Sequence, residues 1–170
     1  YSGAASKFAA GGGALDALVT ANKSFADCFA VKPEGMTFAT KEGKAWRDLQ
    51  GGKEIIDAKQ EREILAALPR VKEAISVLAD GLPVSYQVTL RGEIEGLEVQ
   101  TRPDIWIDGE TKKGPLLDVT DLKYVSDIAG FVRNFVGSRY EIQAALAWDL
   151  IEQTGRDMAT VRLSYLLCES

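Results

Sequence analysis

The spacing of hydrophobic and polar residues divides the chain into a helical first half and a strand-rich second half. Pro69 suits the first turn of a helix, so a new helix is expected to begin there. After Pro83, apolar and polar residues alternate as in strands. Residues 1–81 are therefore expected to be mainly helical and residues 82–170 to form the strand-rich core of one domain. The helices predicted in the first half are 13–20, 41–50, 57–68 and 69–79.

The second half is predicted to contain one sheet and one long helix. Its first three strands have short connections and are expected to be consecutive and antiparallel. The last strand is apolar enough to lie inside the sheet. This order predicts an α/β fold with a central mixed β-sheet flanked by helices. The predicted elements are strands 84–90, 97–107 and 116–124, helix 139–153 and strand 160–168.

Composition narrows the class of protein. A chain of 170 residues with 46% hydrophobic residues is one domain's worth of sequence. No apolar run approaches the roughly 18 residues that a membrane span needs, so we expect a soluble protein without a membrane segment. The net charge of −5 does not favour binding of nucleic acid by bulk electrostatics. Any contact with nucleic acid must therefore depend on a local basic patch.

The chain contains no histidine, and this excludes several kinds of site. Ser-His-Asp and Cys-His catalysis both require an imidazole. Two cysteines, Cys28 and Cys168, are too few for a thiolate zinc site. A bound metal would have to be held by oxygen atoms, which favours magnesium, manganese or calcium.

Candidate chemistry lies around the strand 116–124. Alternation along a strand places Asp121 and Lys123 on one face, while Asp118 faces the other way and is expected to be solvated or paired. Asp104 comes 17 positions before Asp121 across a short turn. Two converging carboxylates repel each other unless a cation lies between them. Two interpretations remain open on these residues alone: metal-assisted phosphodiester hydrolysis, and an ordinary surface ion pair.

Three short segments resemble the RecE-type exonuclease branch of the PD-(D/E)xK nuclease superfamily. They are Arg102-Pro103-Asp104, Asp121-Leu122-Lys123 and Tyr140-Glu141-Ile142-Gln143. The similarity extends upstream to residues 13–18 and 43–46, so it covers nearly the whole chain. It implies a restriction-endonuclease-like core and a single nuclease domain over residues 1–170.

The resemblance also implies a role for each matching residue. Asp104 and Asp121 would bind Mg²⁺, or Mn²⁺ in its place, with the Leu122 carbonyl as a further ligand. Lys123 would be the catalytic lysine. Asp16 stands where the family has a ligand histidine, and a carboxylate is an acceptable ligand for a hard cation. It further implies that Gln143 contacts DNA or orients the site, and Tyr140 lies one turn before it on the same helical face. Independently of the resemblance, Lys112 and Lys113 are expected either to form an ordinary solvated turn or, because they neighbour the expected cleft, to contact phosphate, as are Arg102 and Arg139.

The activity implied is that of a DNA exonuclease acting on double-stranded ends in recombination or phage-type DNA processing. Its implied setting is the cytoplasm of a bacterial or phage-infected cell, with a homo-oligomer and a single-strand annealing protein as partners. Two alternatives remain: an endonuclease with the same metal centre, and a non-catalytic nucleic-acid-binding or assembly protein. The chain departs from the family at Ala147, where an aromatic residue is common, and near Ser85-Tyr86-Gln87, where a glutamate is common.

Overall fold

The computed structural model describes residues 15–20, 24–125, 127–137 and 139–169. It is a mixed α/β structure with two compact units, the first extending to Glu73 and the second comprising Ala74–Glu169. The single domain over residues 1–170 stays a prediction. Within the described ranges, no helix has both the length and the apolar composition needed to cross a membrane.

The first unit is mainly helical, with one short parallel strand pair, β1 with β2. The predicted helix over 41–50 is confirmed: Thr40 Oγ1 accepts a hydrogen bond from Gly43 N at its start, and Gly51 and Gly52 have positive φ after its end. The core of this unit is formed by Leu18, Phe29, Ile56 and Ile64. The elements are α1 (15–20), α2 (Phe25–Cys28), β1 (Phe29–Val31), α3 (Lys41–Asp48), β2 (Glu54–Ile56) and α4 (Ala58–Ala79), and the residues of α4 from Ala74 onward belong to the second unit.

Helix α4 is continuous, so the prediction of two helices separated at Pro69 is wrong. Asp57 caps its start as expected, because Asp57 Oδ1 accepts hydrogen bonds from Lys59 N and Gln60 N. Pro69 is exposed, so the Leu65 carbonyl that loses its partner lies on the solvent side. The opposite face keeps one buried apolar stripe through the proline, formed by Ile64, Ala67, Val71 and Ile75.

The second unit contains the four-stranded mixed sheet that positions the candidate site. Its strand order is β3-β6-β7-β8. Strand β6 is antiparallel to β3 and to β7, and β7 is parallel to β8. The predicted mixed sheet is thus confirmed, but β8 lies at its edge rather than inside it. The elements are β3 (Val84–Tyr86), β4 (Leu90–Ile94), β5 (Leu97–Thr101), β6 (Ile105–Thr111), β7 (Gly114–Val125), α5 (Ile128–Arg133), α6 (Tyr140–Glu152) and β8 (Val161–Glu169).

The predicted strand 84–90 is two strands in different sheets. The chain turns at Gln87, whose φ of +54° is incompatible with a continuous strand. Strand β3 then pairs with β6, while β4 and β5 form a separate two-stranded hairpin with a turn at Glu95-Gly96. The expectation of three consecutive antiparallel strands is therefore wrong. Which strands pair depends on partners distant in sequence, and alternation of side chains does not report it.

Helix α6 covers the face of the sheet that carries Asp121. Its Leu150 and Ile151 pack with Leu117 and Val119 of β7 in the core of this unit. The helix is also fixed to the β4–β5 hairpin, because Gln153 Nε2 donates to the Glu93 carbonyl at 2.9 Å. This packing gives α6 a defined position above β7.

The opposite face of β7 buries a hydrogen-bonded carboxylate. Asp118 is fully buried, and its Oδ1 accepts from Thr120 Oγ1 and Ser164 Oγ, each at 2.9 Å. Its Oδ2 accepts from Arg162 Nε at 2.7 Å. Of the two outcomes expected for Asp118, solvated or paired, the structure shows the paired one. Its hydrogen bonds to Arg162 and Ser164 join β7 to β8.

We expect Asp118→Ala to lower the free energy of unfolding by about 2–3 kcal/mol. The Thr120 and Ser164 hydroxyls are also hydrogen-bonded to each other at 2.6 Å, so without Asp118 one of the two O–H groups has no acceptor. An unsatisfied buried polar group costs ~1–3 kcal/mol, and Arg162 loses its partner as well. Urea denaturation measures the change. The matched control is Asp149→Ala at an exposed acid on α6, which should stay within about 0.5 kcal/mol of wild type. Equal effects of the two substitutions would contradict the structural role of Asp118.

Candidate active site

Asp104 and Asp121 lie at one end of the β6–β7 hairpin. The last ladder pair at this end is Ile105 with Thr120, so the next residues along the two strands are Asp104 and Asp121. The two strands stay close beyond this pair, because the backbone N of Leu122 donates to the side-chain Oδ2 of Asp104 at 2.8 Å. The structure thus brings the two predicted carboxylates together, as the hairpin length led us to expect.

Asp104 is held by Gln87 on the neighbouring strand end. The Gln87 side-chain Nε2 donates to Asp104 Oδ1 at 3.1 Å. The Gln87 backbone N also donates to the Asp104 carbonyl at 3.1 Å. Gln87 belongs to the segment in which the resemblance led us to expect a glutamate, and it contacts Asp104 through a neutral amide.

Asp121 has a different environment at each of its carboxylate oxygens. Gln143 Nε2 on α6 donates to Oδ1 at 3.1 Å. Oδ2 is buried and forms an ion pair with Lys123 Nζ, but no donor among the described residues is aligned for a hydrogen bond to it. The Asp121 and Lys123 side chains are 13% and 22% exposed. One buried carboxylate oxygen is therefore opposed by an ammonium alone.

Lys123 lies between this carboxylate and an aromatic wall. Its Nζ is 5.2 Å from the centre of the Tyr140 ring, a distance typical of a cation–π contact. The Tyr140 ring stacks on Phe131 with centroids 4.9 Å apart. Tyr165 and Phe135 complete the cluster. The wall restricts the lysine to the side of β7 on which Asp121 lies.

Tyr165 and Glu141 belong to the same neighbourhood and were not predicted from the sequence. The Tyr165 hydroxyl donates to the Tyr140 carbonyl at 2.7 Å. Burial, together with the negative charge of Asp121 and the nearby Tyr140 and Glu141, raises the pKa of Tyr165 to about 12. Glu141 Oε2 is buried and has no hydrogen-bond partner among the described residues. Glu141 stood inside the quoted 140–143 segment, whereas Tyr165 reaches the site through its pairing opposite Asp121 in the parallel β7–β8 ladder.

We expect an alkaline titration of tyrosinate absorbance to contain a step near pH 12 that disappears in Tyr165→Phe. Because the pKa is raised above the ordinary value of 10.0, the folded protein favours the neutral phenol. That contribution to stability is intact below about pH 10 and is lost as the pH rises through 12. Asp121→Asn should move the step to lower pH, because it removes one negative charge. An unchanged titration curve in Tyr165→Phe would refute the assignment.

A small pocket opens beside Asp121. Its apolar wall includes Ala144 and Ala147 of α6 and Leu163 of β8, and its polar wall includes Gln143 and Asp121. The space between these atoms is about 310 Å³, part of it open solvent. Ala147, where the resemblance led us to expect an aromatic residue, leaves room between the helix and the sheet. Asp121 thus lies in the wall of a largely apolar opening.

The basic residues predicted to contact DNA are not all near this site. Arg102 is exposed two positions before Asp104, and Arg139 is exposed at the start of α6 with a φ of +60°. Lys112 and Lys113 form the turn at the opposite end of the hairpin, some eight residues from Asp121. At roughly 3.3 Å per residue the separation is about 25 Å. The expectation that these lysines neighbour the cleft is wrong, because β6 and β7 extend farther than the sequence pattern indicated.

Asp16 belongs to the first compact unit, where it lies in α1 and is half-buried. Its backbone carbonyl accepts a hydrogen bond from Thr20 Oγ1 at 2.8 Å. The role of its side chain as a metal ligand stays a prediction.

The residues of the second unit suit a hard divalent cation in number and in kind. Across the described ranges, no group of three or more Cys, Asp or Glu side chains converges as a metal-binding cluster. Magnesium commonly uses one or two carboxylates and takes its other ligands from water and phosphate. Asp104 and Asp121 are two such carboxylates at adjacent positions of the β6–β7 hairpin.

Comparison of the chain with protein-family models, with curated proteins and with solved structures gives no significant match.

Proposed function

We propose that the chain is a magnesium-dependent deoxyribonuclease of the PD-(D/E)xK superfamily, RecE-type branch, acting as an exonuclease on double-stranded ends. The observation that carries the proposal is the meeting of Asp104 and Asp121 beside Lys123, which forms an ion pair with Asp121. An acid pair with a lysine on the same strand face fits metal-assisted phosphodiester hydrolysis. The proposal joins this geometry to the sequence resemblance.

Asp104 and Asp121 would hold the cation, with the Leu122 carbonyl as a further oxygen ligand. Leu122 N points toward Asp104, and in a strand the N–H and C=O of one residue point to the same side. The residue that would face Leu122 is Pro103, which has no N–H to donate to this carbonyl. The chemistry supplied by a magnesium ion held there would be neutralisation of phosphate charge and activation of water.

Protonated Lys123 contributes a positive charge to the site and, having no free lone pair, is not a metal ligand. Its ammonium would orient the attacking water and stabilise negative charge that develops on the phosphate during hydrolysis. The Tyr140 ring limits the positions available to the ammonium. Gln143 donates to Asp121 and so fixes the carboxylate that faces the lysine. Both α6 residues named by the resemblance therefore have a positioning role that requires no contact with DNA.

A fluorogenic duplex, assayed with Mg²⁺ and with EDTA, tests the proposal. Signal that needs Mg²⁺ and disappears with EDTA supports the nuclease. The competing proposal is a non-catalytic nucleic-acid-binding or assembly protein, which the net charge of −5 and the absence of histidine favour. That protein would bind the duplex with no rise in signal under either condition. The homo-oligomer and the single-strand annealing partner stay predictions from the resemblance.

Asp16 provides a separate test of the metal centre. If it replaces the family histidine as a ligand, Asp16→Ala should lower cation affinity and cleavage together by about 10- to 100-fold. Asp16→His should retain more of both than Asp16→Ala, because imidazole restores a ligand. Isothermal titration of Mn²⁺ into the three proteins at one pH measures the difference. Equal affinities would show that Asp16 is not a ligand.

A further inference from the structure

We infer that Gln87 is a positioning residue for Asp104 and that its neutral amide sets the cation affinity of the site. The inference rests on the proposed cation site and goes beyond it, because it gives a role to a residue that binds neither cation nor substrate. Its basis is a double contact: both the backbone N and the side-chain Nε2 of Gln87 donate to Asp104, each at 3.1 Å.

The backbone of Gln87 has an uncommon conformation, which persists only where the surrounding structure stabilises it. Its φ of +54° lies in the left-handed region, which is uncommon for a residue other than glycine. The position follows the last ladder pair of β3, Tyr86 with Ile105. The turn therefore occurs where pairing between β3 and β6 ends, next to Asp104, which accepts a hydrogen bond from Leu122 N. Backbone strain that persists beside a candidate site is consistent with a positioning role.

Each of the two carboxylates of the site accepts a hydrogen bond from the side-chain amide of a glutamine. Gln87 Nε2 donates to Asp104 Oδ1, and Gln143 Nε2 donates to Asp121 Oδ1. The second oxygen of Asp104 accepts from Leu122 N, so both of its oxygens are fixed in orientation. A neutral donor orients a carboxylate and favours its ionised form without adding negative charge. A carboxylate at position 87 would add a third negative charge and another hard oxygen.

The substitution that tests the charge of position 87 is Gln87→Glu. Without cation, its carboxylate should repel Asp104 and lower the melting temperature at neutral pH. With cation, the added oxygen and charge should tighten binding by about tenfold. The rise in melting temperature on adding Mn²⁺ should therefore be larger than in wild type.

Two further substitutions separate the amide from the backbone conformation. Gln87→Ala removes the amide and keeps a Cβ in the left-handed conformation, whereas Gln87→Gly removes the amide and relieves the strain. Both should weaken Mn²⁺ binding by about 10- to 100-fold, as loss of a hydrogen-bond partner of a metal ligand does elsewhere. The glycine variant should retain at least the cation-free melting temperature of the alanine variant.

Calorimetric titration of Mn²⁺ and melting curves with and without Mn²⁺ provide the readouts, and neither requires cleavage. The inference predicts that Gln87→Glu binds Mn²⁺ most tightly and wild type less tightly. Gln87→Ala and Gln87→Gly should bind it most weakly and with similar affinity. Wild-type affinity in all three variants would overturn the inference and leave the nuclease proposal in place. Wild-type affinity in Gln87→Gly alone would also overturn it, because strain would then be the cause. A wild-type protein that binds no divalent cation would overturn both proposals.

Discussion

Lys123→Met is expected to reduce cleavage of duplex DNA by about 10²- to 10⁴-fold while cation and duplex binding persist. Methionine keeps much of the aliphatic length but has no charge to place beside Asp121 or a phosphate. Because a protonated lysine is not a metal ligand, the cation should bind at least as well as in wild type. Single-turnover cleavage, with Mn²⁺ titration of the same preparation, measures both quantities.

The same substitution also has a consequence that needs no substrate. Asp121 Oδ2 is buried against the Lys123 ammonium, so removing that ammonium leaves a buried carboxylate oxygen unpaired. Lys123→Met should therefore melt at lower temperature than wild type without cation and recover when Mn²⁺ is added. Lys123→Arg is the control, since it keeps the charge and should largely keep the cation-free stability. Wild-type turnover in Lys123→Met would reduce the lysine to a structural counter-ion.

Asp121→Asn is expected to abolish saturable cation binding and to lower cleavage by about 10²- to 10³-fold, a loss typical of removing one large electrostatic contribution to catalysis. The amide keeps the shape of the side chain, and its oxygen can still accept from Gln143. What is lost is the charge that pairs with Lys123 and would bind the cation. Manganese titration and single-turnover cleavage measure the two effects.

The control for Asp121→Asn is Asp149→Asn, which removes one negative charge from the exposed side of α6. The two variants have the same net charge. Asp149→Asn should bind the cation and cleave DNA as wild type does. If Asp121→Asn binds cation with wild-type affinity, Asp121 is not a ligand and the site has to be assigned elsewhere.

Local patterns predicted the parts of the site that lie close together in sequence. Asp104 and Asp121 are joined by one hairpin, so strand alternation and turn length were enough to bring them together. Lys123 follows Asp121 by two positions and shares its face for the same reason. The helix that carries Gln143 has its own period of apolar residues and could be predicted without knowledge of its partners.

Contacts between distant segments were not predictable in this way. Gln87 reaches Asp104 only because β3 pairs with β6 across the β4–β5 hairpin, which the alternation of residues 84–90 does not reveal. Tyr165 reaches Asp121 through a parallel ladder between segments 44 residues apart. The position of Lys112 and Lys113 depended on where the strands end, which turn-forming residues indicated only approximately.

Cleavage of end-labelled linear duplex compared with covalently closed circular duplex tests the central claim most directly. Wild-type protein with Mg²⁺ should release label from linear DNA and leave the closed circle intact, while EDTA or Asp104→Asn should prevent release. Asp104→Asn is a suitable comparison because its amide can keep the hydrogen bond from Leu122 N while losing the charge. Linear DNA that stays intact with Mg²⁺, or label release that persists in EDTA or in Asp104→Asn, would contradict a metal-dependent exonuclease built on this carboxylate pair.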